Sequence, residues 1–165
     1  NPKIRRFWPP GAIEQKLDSR PWRPLAEYRF AAVGQGAAAL VAAGGLLGIG
    51  AHGEAPGIGF HWEMQAHVMG GMSPMTVLHA ATAGSAETIG RLRDLGTLEP
   101  GKLADLVILD KDPLADIRNT QAIAAVMRGG FLYSGDDLSE LWPPARPRGS
   151  PTGDSGNIER WLPAP

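Results

Sequence analysis

Gly96–Asp110 reads GTLEPGKLADLVILD, a turn followed at once by a strand and a stop. Glu99-Pro100-Gly101 supplies the turn: proline presets φ at the second position, and glycine accepts the positive φ that a type II turn needs at the third. Leu103 to Leu109 is expected to form a buried strand, because Leu106-Val107-Ile108-Leu109 is too short and too β-branched for a helix. Asp110, Asp112 and Pro113 close it. A second strand pair is expected at Ile123–Met127 and Phe131–Ser134, joined across Gly129-Gly130, a dipeptide suited to a tight hairpin.

Working outward, the 165 residues suffice for one ordinary core, and a hydrophobic fraction of 43% is normal for a folded domain. Sixteen basic and seventeen acidic residues leave a formal charge of −1, and no basic stripe offers itself to phosphates, so a nucleic-acid partner is not expected. There is no cysteine, which removes disulfides, thiolate metal sites and thiol redox chemistry while leaving the compartment open. The chain opens NPKIRRFWPP, with neither methionine nor a charged-then-apolar signal layout, and is expected to be an internal fragment. Phe30–Ala51 is nearly uncharged, but Gln35 and Gly44-Gly45 punctuate it as a helix, a turn and a strand rather than a membrane span.

Five prolines among residues 1–29 point to an irregular arm. Phe30–Ala43, rich in alanine, is expected to be a buried helix stopped by Gly44-Gly45, and Leu46–Gly50 a short buried strand after it. A second helix is expected over Phe60–Met69, with Phe60, Met64, His67 and Val68 on one face. Ser73-Pro74 reads as an N-cap with proline at the first helical position. Thr82 can cap another short helix, Ala83–Ile89, ended by Gly90. Beyond Ser134 only Leu138–Trp142 is expected to be ordered, since RPRGSPTGDSGN has the composition of a solvated linker.

The histidines are His52, His61, His67 and His79, and none forms HxH or HExxH. His52, in GIGAHGE just past the short strand, is the first candidate for catalysis, because catalytic groups of parallel α/β barrels gather at the carboxyl ends of strands. Its plainer role is a loop histidine bonded to backbone. Glu54 is placed to act as a carboxylate ligand or proton shuttle, or is simply an exposed glutamate. His61 could reach a pocket above the strand, with Trp62 beside it as a lining residue, whereas Glu63 suits a helix start. His67 is expected to be buried and hydrogen-bonded, and His79 solvated. Lys102 and Asp105 are expected to be edge charges without a catalytic part. Gly48–Gly50 contains a G-x-G, but the third glycine and following helix of a nucleotide-binding loop are absent.

The segments VAAGGLLGIGAHGE (41–54), HWEMQAHVMGGMSPMTVLHAATAGSAETIG (61–90), GTLEPGKLADLVILDKDPLADIRN (96–119) and IAAVMRGGFLYSG (123–135) together resemble the C-terminal part of the metal-dependent amidohydrolase superfamily, nearest its imidazolonepropionase-like and prolidase-like branch. HGExPGxGxHWE with the NPKIRRFWPP opening is further similar to a subgroup often fused behind β-propeller repeats. The resemblance implies an α/β fold: the last strand and flanking helices of a (β/α)8 barrel over residues 30–95, preceded by the arm of 1–29. It also implies part of a small composite β-sandwich over 96–135, then a C-terminal tail over 136–165. It places His52 where the family's eighth strand usually ends in a metal-binding aspartate that deprotonates the attacking water. His52 is then implied as catalytic residue and metal ligand, Glu54 as a possible replacement carboxylate, and His61 and Trp62 as substrate-binding.

The implied cofactor is a divalent metal, zinc by type, whose other ligands would lie before Asn1. The implied substrate is a small amide, cyclic amide or dipeptide. A fragment holding one barrel strand would be inactive by itself, would need the N-terminal part of the barrel, and would tend to associate. The alternative is a non-catalytic structural or assembly module of a degenerate homologue.

Overall fold

A computed structural model of the protein describes residues 2–18, 23–24, 27–52, 55 and 57–143. The chain opens with two short helices, α1 (Pro2–Phe7) and α2 (Pro10–Asp18), where the prolines had suggested an irregular arm. The correction has a local cause. Pro2 and Pro10 begin their helices, where the missing N–H is one the helix would leave unpaired anyway and the fixed φ is already helical. Lys3 then ties α1 across the molecule by donating to the Ile123 carbonyl at 2.7 Å, and Arg6 donates to the Asp136 carbonyl at 2.6 Å.

Helix α3 (Phe30–Ala42) packs against α4 (Ile58–Met69), but it is not the buried helix its apolar composition suggested: only Gly34 is buried, and Phe30, Val33 and Leu40 are exposed. Contact is close because glycine faces glycine: a Cβ on Gly34 would sit 2.5 Å from the Ala66 carbonyl oxygen, and one on Gly70 would sit 2.5 Å from the Gln35 nitrogen. Met64 and His67 are the buried face of α4, with Phe60 and Val68 packed at its margin. The core gathers Ile49, Met64, Met72, Val77, Ala80 and Ile117. Among the described residues no helix is long and apolar enough to cross a membrane.

After Gly71, Ser73 caps α5 (Pro74–His79) by accepting from the Thr76 N–H at 3.1 Å. The helix does not stop there. It continues through a π-helical turn, Ala80–Gly84, into α6 (Ser85–Thr88) and ends at Gly90, whose φ is 71°. Thr82 is therefore no cap: its hydroxyl donates back to the Leu78 carbonyl at 2.8 Å, the bond a threonine makes inside a helix.

Leu46–Gly50 links α3 to α4 without regular secondary structure and pairs with no strand among the described residues, which corrects the expected strand. Its backbone is met by a side chain instead. Ile49 donates its N–H to Ser85 Oγ at 2.9 Å, while the serine proton goes to the Ala80 carbonyl at 2.8 Å. Gly84 and Gly48 permit this approach, since a Cβ on Gly84 would collide with the Leu47 carbonyl and one on Gly48 would lie 2.9 Å from Thr88 Oγ1. Ser85→Ala leaves the N–H of buried Ile49 unsatisfied and is expected to cost about 1–2 kcal/mol in urea unfolding. A change below about 0.3 kcal/mol would show that the amide is served elsewhere.

The rest of the chain is a four-stranded antiparallel meander, β1 (Leu106–Leu109), β2 (Ile123–Arg128), β3 (Phe131–Ser134) and β4 (Glu140–Trp142), in that spatial order. The Pro100-Gly101 turn forms as its residues require, with Gly101 at φ 91° and the Lys102 N–H donating to the Glu99 carbonyl at 3.3 Å. Gly129 and Gly130 both take positive φ, 56° and 84°, which makes a two-residue hairpin matched to strand twist. One expectation changes here. Val107 and Ile108 are 55% and 44% exposed, so β1 is not a buried strand, and the described sheet is a single layer. Strand β4 falls within Leu138–Trp142, the stretch beyond Ser134 expected to be ordered; residues 144–165 lie outside the described ones.

Between β1 and β2, the 3₁₀ helix Ile117–Gln121 sends Ile117 into the core beneath α4. It is the joint between the helical layer and the sheet.

Candidate functional site

His52 lies two residues beyond the Leu46–Gly50 segment and adopts φ 49°, a left-handed conformation that a non-glycine residue takes only when its surroundings hold it there. Its N–H donates to the Gly50 carbonyl at 2.8 Å, closing a tight turn over Ala51. The side chain is exposed, and the imidazole has no hydrogen-bond partner among the described residues. A loop histidine bonded to backbone through its ring is thus not what is seen. Glu54 lies outside the described residues.

His61 occupies the first turn of α4, half buried, with Nδ1 2.9 Å from Thr120 Oγ1 on the 3₁₀ helix. Desolvation by this burial holds its imidazole below the ordinary pKa, favouring the neutral ring. It borders a cavity of about 260 Å³ that α1, α4 and the sheet enclose. Trp62 does not join it. Successive helical residues point about 100° apart, so Trp62 turns away from this cavity and is 53% exposed.

The remaining histidines separate clearly. His67 is buried as expected, but its Nε2 is 3.9 Å from Glu63 Oε1, too far for a hydrogen bond, and its Nδ1 is unpaired among the described residues. The expected hydrogen bond is therefore absent. His79 is exposed.

Lys102 is not the solvated edge charge that its position implied. It is largely buried and donates to the Leu92 carbonyl at 2.7 Å and to Thr97 Oγ1 at 2.5 Å, so its charge braces the turn from within. Asp105 accepts from the Gly129 N–H at 2.6 Å and anchors the hairpin tip.

His52 and His61 are not joined by any hydrogen bond, and among the described residues no three His, Cys, Asp or Glu side chains come together to hold a metal ion. The described residues by themselves do not fit a metal centre. What His52 brings is an exposed imidazole whose neutral form offers one lone pair, able to coordinate an ion or to accept a proton, and unable to supply a carboxylate's negative charge. Sequence reasoning missed Thr120, the partner of His61. Nothing local marks it, because the contact spans 59 residues and exists only once the 3₁₀ helix docks on α4.

Residues 46–132 match the Amidohydrolase family. Over 97 residues the chain is 36% identical to the ochratoxinase of Aspergillus niger, a match covering 56% of this chain and 20% of that protein. It is 52% identical over 69 residues to the imidazolonepropionase of Geobacillus kaustophilus, 40% of this chain and 16% of that one. Among solved structures, a Xaa-Pro dipeptidase with methionine bound in its active site aligns with a TM-score of 0.56 at 27% identity, over 64% of this chain and 25% of that chain. The expected likeness to imidazolonepropionases and prolidases is borne out. The chain spans about one fifth of the length of the ochratoxinase it matches.

Proposed function

Because the chain belongs to the amidohydrolase family, we propose that it is the C-terminal portion of a metal-dependent hydrolase that cleaves a C–N bond of an amide, cyclic amide or dipeptide. In this proposal Leu46–Gly50 is the last strand of a (β/α)8 barrel, α3 and α4 are its flanking helices, and β1–β4 belong to an accessory sandwich. The divisions at residues 30, 96 and 136 follow from the same assignment. The observation that carries it is His52. A histidine at φ 49° just past a core-packed segment, exposed to solvent, supports this reading, because barrel enzymes gather catalytic groups at strand ends.

The relatives' names support the bond type. Imidazolonepropionase and Xaa-Pro dipeptidase denote a cyclic amide and a dipeptide as what those proteins act on. The family is generally metal-dependent, and zinc is the proposed ion, with His52 one of several ligands and Glu54 the nearest carboxylate in sequence. The role of this chain's residues is narrower: His52 holds a ligand or receives a proton at the strand end through an imidazole lone pair.

The test is made on the intact protein containing this chain. Treated with a zinc chelator and assayed on N-acyl amino acids, Xaa-Pro dipeptides and cyclic amides, it is expected to lose at least about 100-fold in turnover and to regain it with added zinc. Hydrolysis untouched by chelation overturns the metal assignment. A zinc-loaded protein that hydrolyses none of these substrates favours the non-catalytic assembly module.

A further inference from the structure

The second feature with chemical content is the cavity beside His61. Ile4 and Phe7 of α1 with Trp8 just after it form one wall, Ile58 and His61 of α4 another, and Val126 of β2 a third. Lys3 and Arg6 fasten α1 over it by their bonds to the Ile123 and Asp136 carbonyls. At about 260 Å³ it has room for roughly nine waters' share of liquid volume, or for an aromatic ring with a short substituent.

The tautomer of His61 follows from the hydrogen bonds around it. Thr120 Oγ1 has one proton, and it lies 2.8 Å from the Ile117 carbonyl oxygen, which can only accept. The threonine proton is therefore committed to Ile117, and His61 Nδ1, 2.9 Å away, must be the donor in its bond to Oγ1. A neutral ring with its proton on Nδ1 carries a lone pair on Nε2. Nε2 has no hydrogen-bond partner among the described residues, and the ring edge not engaged by Thr120 is the one left to the cavity.

We propose that this cavity binds a small, largely apolar aromatic molecule carrying one N–H or O–H donor, and that His61 Nε2 accepts that hydrogen. Burial works in the same direction by disfavouring the imidazolium, which would turn the acceptor into a donor. Thr120 is a positioning residue: it touches no ligand and acts by fixing which ring nitrogen carries the proton. The inference does not rest on the hydrolase assignment, since it uses neither His52 nor a metal.

The probes are p-cresol and toluene, nearly equal in shape and different in one hydroxyl, titrated calorimetrically into the intact protein. Wild type is expected to bind p-cresol about 5- to 10-fold more tightly than toluene, the size of one neutral hydrogen bond. His61→Leu, which keeps an apolar wall and removes the acceptor, is expected to abolish that difference while leaving toluene affinity unchanged. Should the variant not fold, ¹⁵N-histidine spectra of the wild type give the same answer. They are expected to show the Nδ1–H tautomer for His61, with Nε2 shifting on addition of p-cresol and not of toluene. Equal affinity for the two probes, binding of neither at millimolar concentration, an Nε2–H tautomer, or a preference that survives His61→Leu would each overturn the proposal.

Discussion

His52→Gly is expected to fold at least as stably as the wild type and yet, in the intact protein, to hydrolyse substrate at least about 100-fold more slowly. The two halves of this result come from different physics. At φ 49° a β-carbon is strained against the backbone, and glycine removes that strain, a gain of about 1 kcal/mol. The side chain contributes nothing that would offset the gain, because it is exposed and makes no hydrogen bond among the described residues. Glycine is a sharper probe than alanine here, since alanine would retain the strain and mix a stability loss into the kinetics. Urea unfolding and kcat measured on the same preparation separate the outcomes: unchanged turnover in a folded His52→Gly protein would make the residue structural and sink the catalytic assignment.

Gly70→Ala is expected to lower stability by about 3 kcal/mol and to drive α3 away from α4. Opposing contributions make the sign worth deriving. Gly70 caps α4 at φ −79°, an ordinary helical value, so alanine carries no backbone penalty there, and helix propensity alone would favour it by up to about 1 kcal/mol. Packing reverses this. The added carbon would meet Gly34 and sit 2.5 Å from the Gln35 nitrogen, and both are backbone atoms of a helix that cannot swing aside as a side chain can. Relief requires moving α3 bodily, which breaks its contact with the core through Ala37, Ala38 and Val41. Thermal unfolding of the variant against wild type checks this, and a Tm equal to or above that of wild type would show that the helices separate at little cost.

The features that were legible in the sequence are those fixed by a few neighbouring residues. Pro100-Gly101, Gly129-Gly130 and Ser73-Pro74 each state a backbone conformation outright, and each forms as stated. Helices α3 and α4 were legible from composition and from the 64–67–68 face. The arm was misjudged because proline has two meanings: Pro2 and Pro10 start helices, and only position relative to a helix, not proline content, distinguishes a start from a break. Leu46–Gly50 has the composition of a strand, but a strand is a relation between two segments, and no described segment supplies the other half. His52 could be singled out from its glycine-rich setting, whereas the tautomer of His61 depends on Thr120 and Ile117, which no local pattern connects to it.

The π-helical turn at Ala80–Gly84 works as a phase slip. The inward stripe that begins at Val77 and Ala80 widens here: Ala83, Gly84 and Ala86 are all buried, whereas Thr88, one α-helical turn beyond Gly84, is exposed. The turn holds one residue more than an α-helical turn, and each residue is about 100° of rotation. That offset is what aims Ser85 at Ile49. The alignment of the segment leading to His52 is thus set by how many residues the helix contains as well as by which they are.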